Sequence, residues 1–275
     1  MVWSIVALEA ASFTALFAHW KIFRLPGTEH MDKEYAQKWF HVKGMLFPGS
    51  LFLVIISALT GLIVSLVKQG GLYMAFFENT RKPTGFGGRL MVTMMNIGHR
   101  ALADWGLRFL PLAENADVLD CGCGGGANLR LMLKKCPTGK VCGIDYSPVS
   151  VEKSRKLNQT AVSAGRCEVL QASVQALPFD DAQFDVATAF ETVYFWGDLP
   201  ACFREVGRVL KPGGTFFLCN ESDGDHAQDE KWTEKIPGMT IYKDTQLKTM
   251  LEQVGFRQVE THKNGKGWLC VTARK

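Results

Sequence analysis

The sequence predicts an α/β fold built on a Rossmann-like parallel sheet, preceded by an apolar N-terminal segment. Two observations support this fold class. From residue 117 onward, short apolar runs alternate with stretches of helical spacing, which is typical of βαβ units. Before residue 70, the run Met45–Val67 contains no charged residue, and its length suits a membrane-spanning helix of about 20 residues.

Seven apolar runs are predicted as strands of one sheet, the last two joined by a hairpin at Lys263–Gly265. The predicted strands are Asp117–Cys121, Lys140–Asp145, Arg166–Gln171, Phe184–Phe190, Thr215–Asn220, Gln258–Thr261 and Trp268–Ala273. The helices predicted between them lie near Asn128–Lys135, Pro148–Ala164, Pro200–Leu210 and Asp244–Val254. A further helix is predicted over Met91–Leu110, after a connector containing Gly and Pro at Phe76–Gly88.

The composition is that of a folded protein without a nucleic-acid groove. Hydrophobic residues make up 47% of the 275 residues and charged residues 21%, which excludes a disordered chain. The net charge is only +4, and no run of Lys and Arg exceeds two residues, so nucleic acid is not expected as a partner. The eight cysteines form no C-x-x-C pair and no Cys/His cluster. We therefore expect no metal site and a reducing, cytosol-facing compartment.

Met45–Val67 is predicted to anchor the chain in a membrane, with Lys43 and Lys68 at its ends. A buried core helix is the alternative. Val2–Trp20 is also apolar but contains Glu9, and both a span and an interfacial helix remain open for it. Its basic residues follow the apolar run, so cleavage as a signal peptide is not expected. The basic residues between the two segments conflict with the positive-inside tendency if both segments span and the following domain is cytosolic.

The strongest local signal is a glycine turn between the first strand and the helix after it. Gly122, Gly124 and Gly126 lie in the run VLDCGCGGGAN at 118–128, where an apolar strand leads into a helix. Glycines at such a turn allow a sharp change of direction, and they leave no Cβ atom between the backbone amides and a ligand. A purely structural turn is the alternative interpretation.

Two acidic residues indicate which ligand suits this turn. Asp145 ends the second strand, where a carboxylate accepts hydrogen bonds from both hydroxyls of a ribose; its alternative role is to cap the next helix. Gly122, Gly124 and Ala127 also satisfy the G-x-G-x-x-G/A pattern of dinucleotide-binding domains. Asp120, beside the turn, disfavours the phosphates of a dinucleotide and suits the cationic methionine end of S-adenosylmethionine.

Five motifs occur between residues 118 and 214: VLDCGCGGG at 118–126, GIDYS at 143–147, ALPF at 176–179, FDVATAFETVYFW at 184–196 and LKPGG at 210–214. Through these motifs the stretch Asp117–Lys275 resembles the class I S-adenosylmethionine-dependent methyltransferases, in particular the branch that includes ubiquinone/menaquinone-biosynthesis methylases. The resemblance covers well over half of the chain. It implies S-adenosyl-L-methionine as the cofactor and a seven-stranded methyltransferase sheet.

The resemblance implies a set of cofactor contacts at the positions that match the family's motifs. It places Asp120, Gly122 and Gly124 around the methionine end of the cofactor. It places Asp145 at the ribose and Tyr146 at the adenine. Ser173 and Val174 stand where the family carries an acidic residue followed by Ala, so the usual contact with the adenine amino group is in doubt. The predicted cofactor-binding residues are Asp120, Gly122, Gly124, Gly126, Asp145, Tyr146, Ser173, Val174 and Phe190.

Three residues are candidates for a catalytic role. Glu191 directly follows the fourth strand, where it can act as a base for an acceptor hydroxyl or attract a cationic acceptor; a solvated loop acid is the alternative. Tyr194 belongs to an aromatic run that suits either the wall of an acceptor pocket or plain packing. His99 lies on the helix before the domain, which in such folds often covers the substrate, and a surface histidine is its alternative.

We therefore predict three parts: a membrane-anchoring segment at 1–70, a connector with a lid helix at 71–112, and a methyltransferase domain at 113–275. The enzyme is expected to methylate a small or lipid-like acceptor and to be membrane-anchored with its catalytic domain in the cytoplasm. Two alternatives remain: an NAD(P)-dependent oxidoreductase using the same turn, and a non-catalytic, membrane-tethered protein that binds S-adenosylmethionine. Because Phe76–Gly98 resembles the start of some bacterial methylases, the membrane segment can also be an addition to a soluble enzyme.

Overall fold

The structure, a computed structural model, describes residues 56, 59–61, 65, 77–226 and 229–275. The chain divides into two compact units, Met1–Ala75 and Phe76–Lys275. The predicted membrane segments Val2–Trp20 and Met45–Val67 lie outside the described residues, except for residues 56, 59–61 and 65, which are helical. Within the part of the chain that is described, no helix combines the length and apolar content needed to cross a bilayer.

Seven strands form one sheet in the second unit, as the sequence predicts. They are β1 (Val118–Cys121), β2 (Val141–Asp145), β3 (Cys167–Gln171), β4 (Phe184–Phe190), β5 (Leu210–Asn220), β6 (Arg257–Lys263) and β7 (Leu269–Arg274). Their order is β3-β2-β1-β4-β5-β7-β6; the first five strands pair in parallel, and β7 lies antiparallel to both β5 and β6. The chain order reverses between β1 and β4. At such a switch point, a ligand crevice forms beyond the carboxyl ends of the strands.

Helices cover both faces of this sheet. They are α1 (Gly85–Gly98), α2 (Arg100–Gly106), α3 (Ala127–Lys135), α4 (Pro148–Leu157), α5 (Gln159–Ser163), α6 (Leu199–Val209), α7 (Asp229–Lys235) and α8 (Asp244–Gln253), with a 3₁₀ turn at Val193–Phe195. Buried side chains alternate between the two faces, as expected for a sheet covered on both sides. Leu119 and Phe216 belong to one apolar core, and their chain neighbours Val118 and Phe217 belong to the other.

The region before β1 differs from the prediction in two ways. The predicted connector Phe76–Gly88 is partly helical, because residues 77–81 are helical and α1 begins at Gly85. The predicted helix Met91–Leu110 is two helices, separated at His99, whose φ of −83° and ψ of 5° depart from helical values. Glycine-rich sequence lowers intrinsic helix propensity but does not forbid a helix that packs on its neighbours, and α1 packs against α4.

The predicted helix Pro148–Ala164 is also two helices, because the helical conformation is interrupted at Asn158. The Asn158 side-chain amide donates one hydrogen bond to the Ser154 carbonyl at 3.0 Å and another to the Gly126 carbonyl at 3.1 Å. Asn side chains compete in this way with the backbone for hydrogen bonds. Through these two bonds, the Asn158 side chain connects the end of α4 to the glycine turn. The fifth strand also begins earlier than predicted, at Leu210, and its pairing with β4 shifts register between Phe184 and Val186.

Candidate active site

A cavity of about 480 Å³ lies at the carboxyl ends of β1, β2 and β4. Nine of the twelve predicted site residues line it: His99, Gly122, Gly124, Asp145, Tyr146, Ser173, Val174, Phe190 and Glu191. Asp120, Gly126 and Tyr194 are not part of its wall. Most of the residues that the sequence predicts for the site therefore lie together in one cavity.

The glycine turn places backbone amides along the cavity. Gly122, Gly124 and Gly126 have φ values of +86°, +51° and +79°, which favour glycine over other residues. A Cβ atom on Gly124 would meet no atom within 4 Å, so this glycine borders open space in the cavity. A Cβ atom on Gly126 would lie 2.4 Å from Ser154 Oγ. Gly126 therefore serves the packing of α3 against α4, whereas Gly124 borders the ligand space.

Asp145 combines a structural role with a buried position on the cavity wall. Its Oδ2 accepts a hydrogen bond from the Gly124 amide at 3.0 Å, and its Oδ1 accepts one from the Ser147 amide at 2.8 Å. Burial raises the pKa of the carboxyl, and the two backbone bonds oppose that rise. The cap of α4 is Ser147, whose Oγ accepts from the Ser150 amide. Asp145 therefore does not serve as the helix cap that the sequence left open.

Residues of the segment before α1 also contribute to the cavity, which sequence reasoning missed. Thr80, Arg81 and Pro83 line it, and the Tyr146 hydroxyl donates a hydrogen bond to the Arg81 carbonyl. The Ser147 hydroxyl donates to the Pro83 carbonyl at 2.7 Å. These bonds attach the segment to the end of β2. Residue types in the Pro-containing connector do not predict these hydrogen bonds, because the acceptors are backbone carbonyls.

Helix α1 lies in the segment that is predicted to contain the lid helix, and it covers the cavity. Val92, Met95 and Asn96 line the cavity, and the Asn96 amide donates to the Gly125 carbonyl at 3.2 Å. His99 and Arg100 follow at the junction with α2 and line it as well. The cover therefore contacts the glycine turn directly.

Asp120 lies at the end of β1, fully buried and outside the cavity wall. Its Oδ1 accepts a hydrogen bond from the Thr188 hydroxyl at 2.8 Å. Burial raises the pKa of this carboxyl to about 7; the bond from Thr188 lowers it, and the nearby charge of Asp145 raises it further. A carboxyl of this kind is half-protonated near neutral pH, and a cation nearby would favour its ionised form.

Glu191 lies in the wall at the end of β4, in a left-handed backbone conformation with φ of +58°. Its Oε1 accepts hydrogen bonds from the Tyr194 hydroxyl at 3.0 Å and from the Glu221 amide. Tyr194 accepts in turn from the Ser222 amide at 3.1 Å. Burial raises the Glu191 pKa to about 8, and the negative charge of Glu221 contributes to the rise. Tyr194 therefore packs behind the wall and positions Glu191.

His99, Glu191 and Glu221 bring their donor atoms within 4.8 Å of one another, although they come from three separate elements. Burial lowers the pKa of His99, and Glu221 opposes this shift. A neutral imidazole beside two carboxyls can exchange a proton with a bound molecule or coordinate a cation. Glu221 lies in the polar run Asn220–Asp225 that follows the fifth strand, and such a run suits either polar contacts with a substrate or a solvated turn. The signal for it is that β4 and β5 are neighbours, with Phe190 opposite Cys219.

We expect the Glu191→Gln variant to be more stable than the wild type at alkaline pH. The folded-state pKa of about 8 lies above the usual carboxyl value. At a pH below the usual carboxyl pKa, Glu191 is protonated in both the folded and the unfolded chain. As the pH rises toward 8, Glu191 ionises first in the unfolded chain, so folding becomes less favourable. Gln removes this penalty, so the free energy of unfolding at pH 9 should rise by on the order of 1 kcal/mol.

Urea unfolding at pH 5 and pH 9 measures this difference, with the exposed Glu234→Gln as the matched control. Glu234→Gln should leave the free energy of unfolding unchanged at both pH values. If Glu191→Gln destabilised the protein equally at both, the carboxylate would be ionised and favourable in the folded state, contrary to the expectation.

The glycine turn alone is compatible with either a dinucleotide or S-adenosylmethionine, and similarity to known proteins distinguishes the two. Residues 119–218, from β1 to β5, match the methyltransferase domain family. These residues contain the glycine turn, Asp145, Glu191 and the cavity wall between them. Residues 119–218 belong to the class I S-adenosylmethionine-dependent methyltransferases. The cofactor of this methyltransferase domain is S-adenosylmethionine.

Several relatives share this domain over part of their length. Cycloartenol-C-24-methyltransferase 1 of Oryza sativa subsp. japonica is 33% identical over 118 residues, which cover 43% of this chain and 34% of that protein. The chain thus spans about a third of the length of that relative. An O-methyltransferase of Pyrenophora dematioidea is 28% identical over 198 residues, covering 70% of this chain and 71% of that protein. The ubiquinone/menaquinone branch stays a prediction.

Among solved structures, a SAM-dependent methyltransferase from Aquifex aeolicus superimposes with a TM-score of 0.57. It is 21% identical in sequence, and the match covers 68% of this chain and 97% of that one. At this identity the similarity shows the fold. The methyltransferase domain thus has the sheet order and the switch-point cavity described above.

The cavity contains groups that fit S-adenosylmethionine. Asp145 provides the carboxylate that accepts from ribose hydroxyls, and Gly124 borders open space beside backbone amides. Tyr146 and Val174 present apolar surface on the side of β2 and β3, which suits an adenine ring. Ser173, next to Val174, uses its hydroxyl to accept from the Gln175 amide at 3.3 Å. Ser173 thus stands where the resemblance predicts an acidic residue, and it offers a hydroxyl instead of a carboxylate.

Proposed function

We propose that this protein transfers the methyl group of S-adenosylmethionine to a small or lipid-like acceptor. The observation that carries the proposal is one cavity that joins the cofactor-binding turn to a second wall of different chemistry. Asp145 and Gly124 lie on the first wall, and His99, Glu191 and Phe195 lie on the second. A methyltransferase needs both substrates in a single cavity, because the methyl group passes directly from one to the other.

The second wall supports an acceptor with apolar surface and one polar group. Phe190, Phe195 and Trp196 provide aromatic surface, and Val92 and Met95 of α1 face it from the lid. His99 and Glu191 are the titratable groups among them. Of the relatives named above, the cycloartenol-C-24-methyltransferase has an apolar acceptor in its name, which supports an acceptor of this kind.

In the proposed reaction, bound S-adenosylmethionine would supply an electrophilic methyl group. The electron pair of the acceptor would attack the methyl carbon while the carbon–sulfur bond breaks, and S-adenosylhomocysteine would leave with the electron pair of that bond. The protein aligns cofactor and acceptor and excludes water, which are the main contributions in such a transfer. Glu191 or the neutral His99 removes the acceptor proton if the nucleophile is a hydroxyl. Tyr194 holds Glu191 in place through the bond at 3.0 Å.

We further propose that residues 45–67 tether the protein to a membrane and that the methyltransferase domain lies in the cytoplasm. The uncharged run between Lys43 and Lys68 supports the tether, and the need for S-adenosylmethionine supports the cytoplasmic side. A cysteine-accessibility assay on intact cells tests this topology with labels on either side of the membrane. The assay uses Thr249→Cys, an exposed position on α8, and a label that reaches residue 249 only from outside the cell would refute the proposed topology.

Methyl-labelled S-adenosylmethionine provides the test of the methyl transfer. The purified full-length protein is incubated with the label and with lipid, aqueous and macromolecular fractions of a host extract. We expect label in a lipid or small-molecule product with the wild type and with Asp180→Ala, an exposed control, and none with Asp145→Ala. Binding of cofactor without transfer to any fraction would instead favour a non-catalytic S-adenosylmethionine-binding protein.

A further inference from the structure

Helix α1 presents a stripe of large apolar side chains to solvent. Phe86, Leu90, Met94 and Ile97 are 86%, 55%, 51% and 74% exposed. They are spaced four, four and three residues apart, so they lie on one face of the helix. We call these four residues the α1 stripe. Four large apolar side chains exposed on one helix mark an interaction surface more strongly than scattered ones do.

The stripe belongs to a helix that is already packed and does not lack a core. Met91 and Val92 on the opposite face are buried. Lys153 of α4 donates to the Arg89 carbonyl at 2.9 Å, and Asn96 donates to the glycine turn. The stripe is therefore the outer face of the lid, and the inner face of the same helix lines the active-site cavity.

The charges around the stripe point to an anionic partner. Helix α1 contains no acidic residue, and residues 77–100 contain four basic side chains but only one acid, Glu78. The four are Arg81, Lys82, Arg89 and Arg100, all exposed. Arg81 and Arg100 also line the cavity, and the Lys82 ammonium lies 5.7 Å from the centre of the Tyr146 ring. Arg89 pairs with Glu152 at 3.4 Å, and Arg100 pairs with Asp104 at 2.9 Å, but pairs this exposed contribute little. A helix with an apolar stripe and basic flanks is typical of a membrane-surface helix.

We propose that α1 lies on an anionic lipid surface, with the α1 stripe inserted at the boundary between headgroups and acyl chains and the basic flanks facing the lipid phosphates. The position in the chain supports this occupant, because α1 begins 18 residues after the uncharged run that ends at Val67. Docking of this kind would place the lid of the cavity at the lipid surface. The proposal does not depend on methyl transfer, and its test requires no acceptor.

A fluorescent probe on the stripe tests the proposal directly. All eight native cysteines are buried, so a thiol-reactive, polarity-sensitive dye selects a cysteine introduced on the surface. The full-length Ile97→Cys protein is labelled, and its emission is recorded before and after adding vesicles of phosphatidylcholine with or without phosphatidylglycerol. Thr249→Cys on α8, exposed on a helix that packs with α6, is the matched control.

We expect a blue shift for the label at residue 97 with the anionic vesicles, a smaller one at high salt, and none for the label at residue 249. A label at residue 97 that stays water-like with both kinds of vesicle overturns the proposal. Emission already shifted without vesicles also overturns it: independence of protein concentration would indicate cover by residues 1–76, and dependence on concentration would indicate a second copy. An equal shift with neutral vesicles overturns the anionic preference.

Discussion

Asp145→Ala is expected to weaken S-adenosylmethionine binding about a hundredfold or more. Each hydrogen bond from a ribose hydroxyl to a carboxylate contributes about 1.5 kcal/mol or more, and the variant loses two of them. It also loses the bond between Oδ2 and the Gly124 amide at 3.0 Å, which holds the glycine turn. Isothermal titration calorimetry with the purified protein measures the dissociation constant, and thermal unfolding shows whether the fold is retained.

Two variants separate ligand contact from turn stability. Asp145→Asn keeps the shape of the side chain and one acceptor oxygen but loses the charge, so its affinity should lie between those of the wild type and Asp145→Ala. Asp180→Ala, in an exposed turn, should bind like the wild type. Wild-type affinity in Asp145→Ala would mean that the ribose contacts another group, and the cofactor site would have to be reassigned.

The strands were predictable because each one is an apolar run bounded by turn residues. All seven predicted strands occur in the structure, and β4 matches its predicted bounds of Phe184–Phe190. The glycine turn and Asp145 were predictable for a related reason: both directly follow strands, and parallel strands bring their carboxyl ends to the same edge of the sheet. The sequence thus predicted the residues that line the cavity at the ends of β1 and β2.

The part of the cavity around Glu191 was less predictable from the sequence, because it depends on which strands become neighbours. Glu191 and Glu221 are 30 positions apart, and they meet only because β4 pairs with β5. His99 comes from a different element, at the break between α1 and α2. Asp120, which is predicted to contact the cofactor, is not part of the cavity wall and accepts a hydrogen bond from Thr188. Local patterns do not specify contacts of this kind.

Helix α1 shows a further limit of periodicity. Its apolar residues have helical spacing, which predicts an amphipathic helix but does not say what its apolar face meets. In the structure, Met91 and Val92 face inward, while Leu90, Met94 and Ile97 face solvent. The helix is apolar on two sides, because one side packs on the domain and the other forms the α1 stripe.

Cofactor affinity is expected to rise as pH increases toward 7.5, because Asp120 must ionise to attract the cationic methionine end. Its pKa is about 7 in the cofactor-free protein, chiefly through burial. If only the ionised form binds well, the dissociation constant should fall by about eightfold between pH 6 and pH 7.5. Up to pH 7.5 the amino group of the cofactor stays mostly protonated, since α-amino groups titrate near 7.7–8.0. Calorimetric titration at several pH values in this range measures the slope.

Thr188 provides the control that assigns this pH dependence to Asp120 and not to Asp145, whose pKa is also raised by burial. The Thr188 hydroxyl donates to Asp120 at 2.8 Å and lowers its pKa. Thr188→Val removes that bond, so the Asp120 pKa should rise and the midpoint of the affinity curve should move to higher pH. Asp120→Asn, which accepts from Thr188 but carries no charge, should bind more weakly at pH 7.5 and show a flatter curve. A midpoint that does not move in Thr188→Val would assign the dependence to Asp145, and Asp120 would then serve only to close the end of β1.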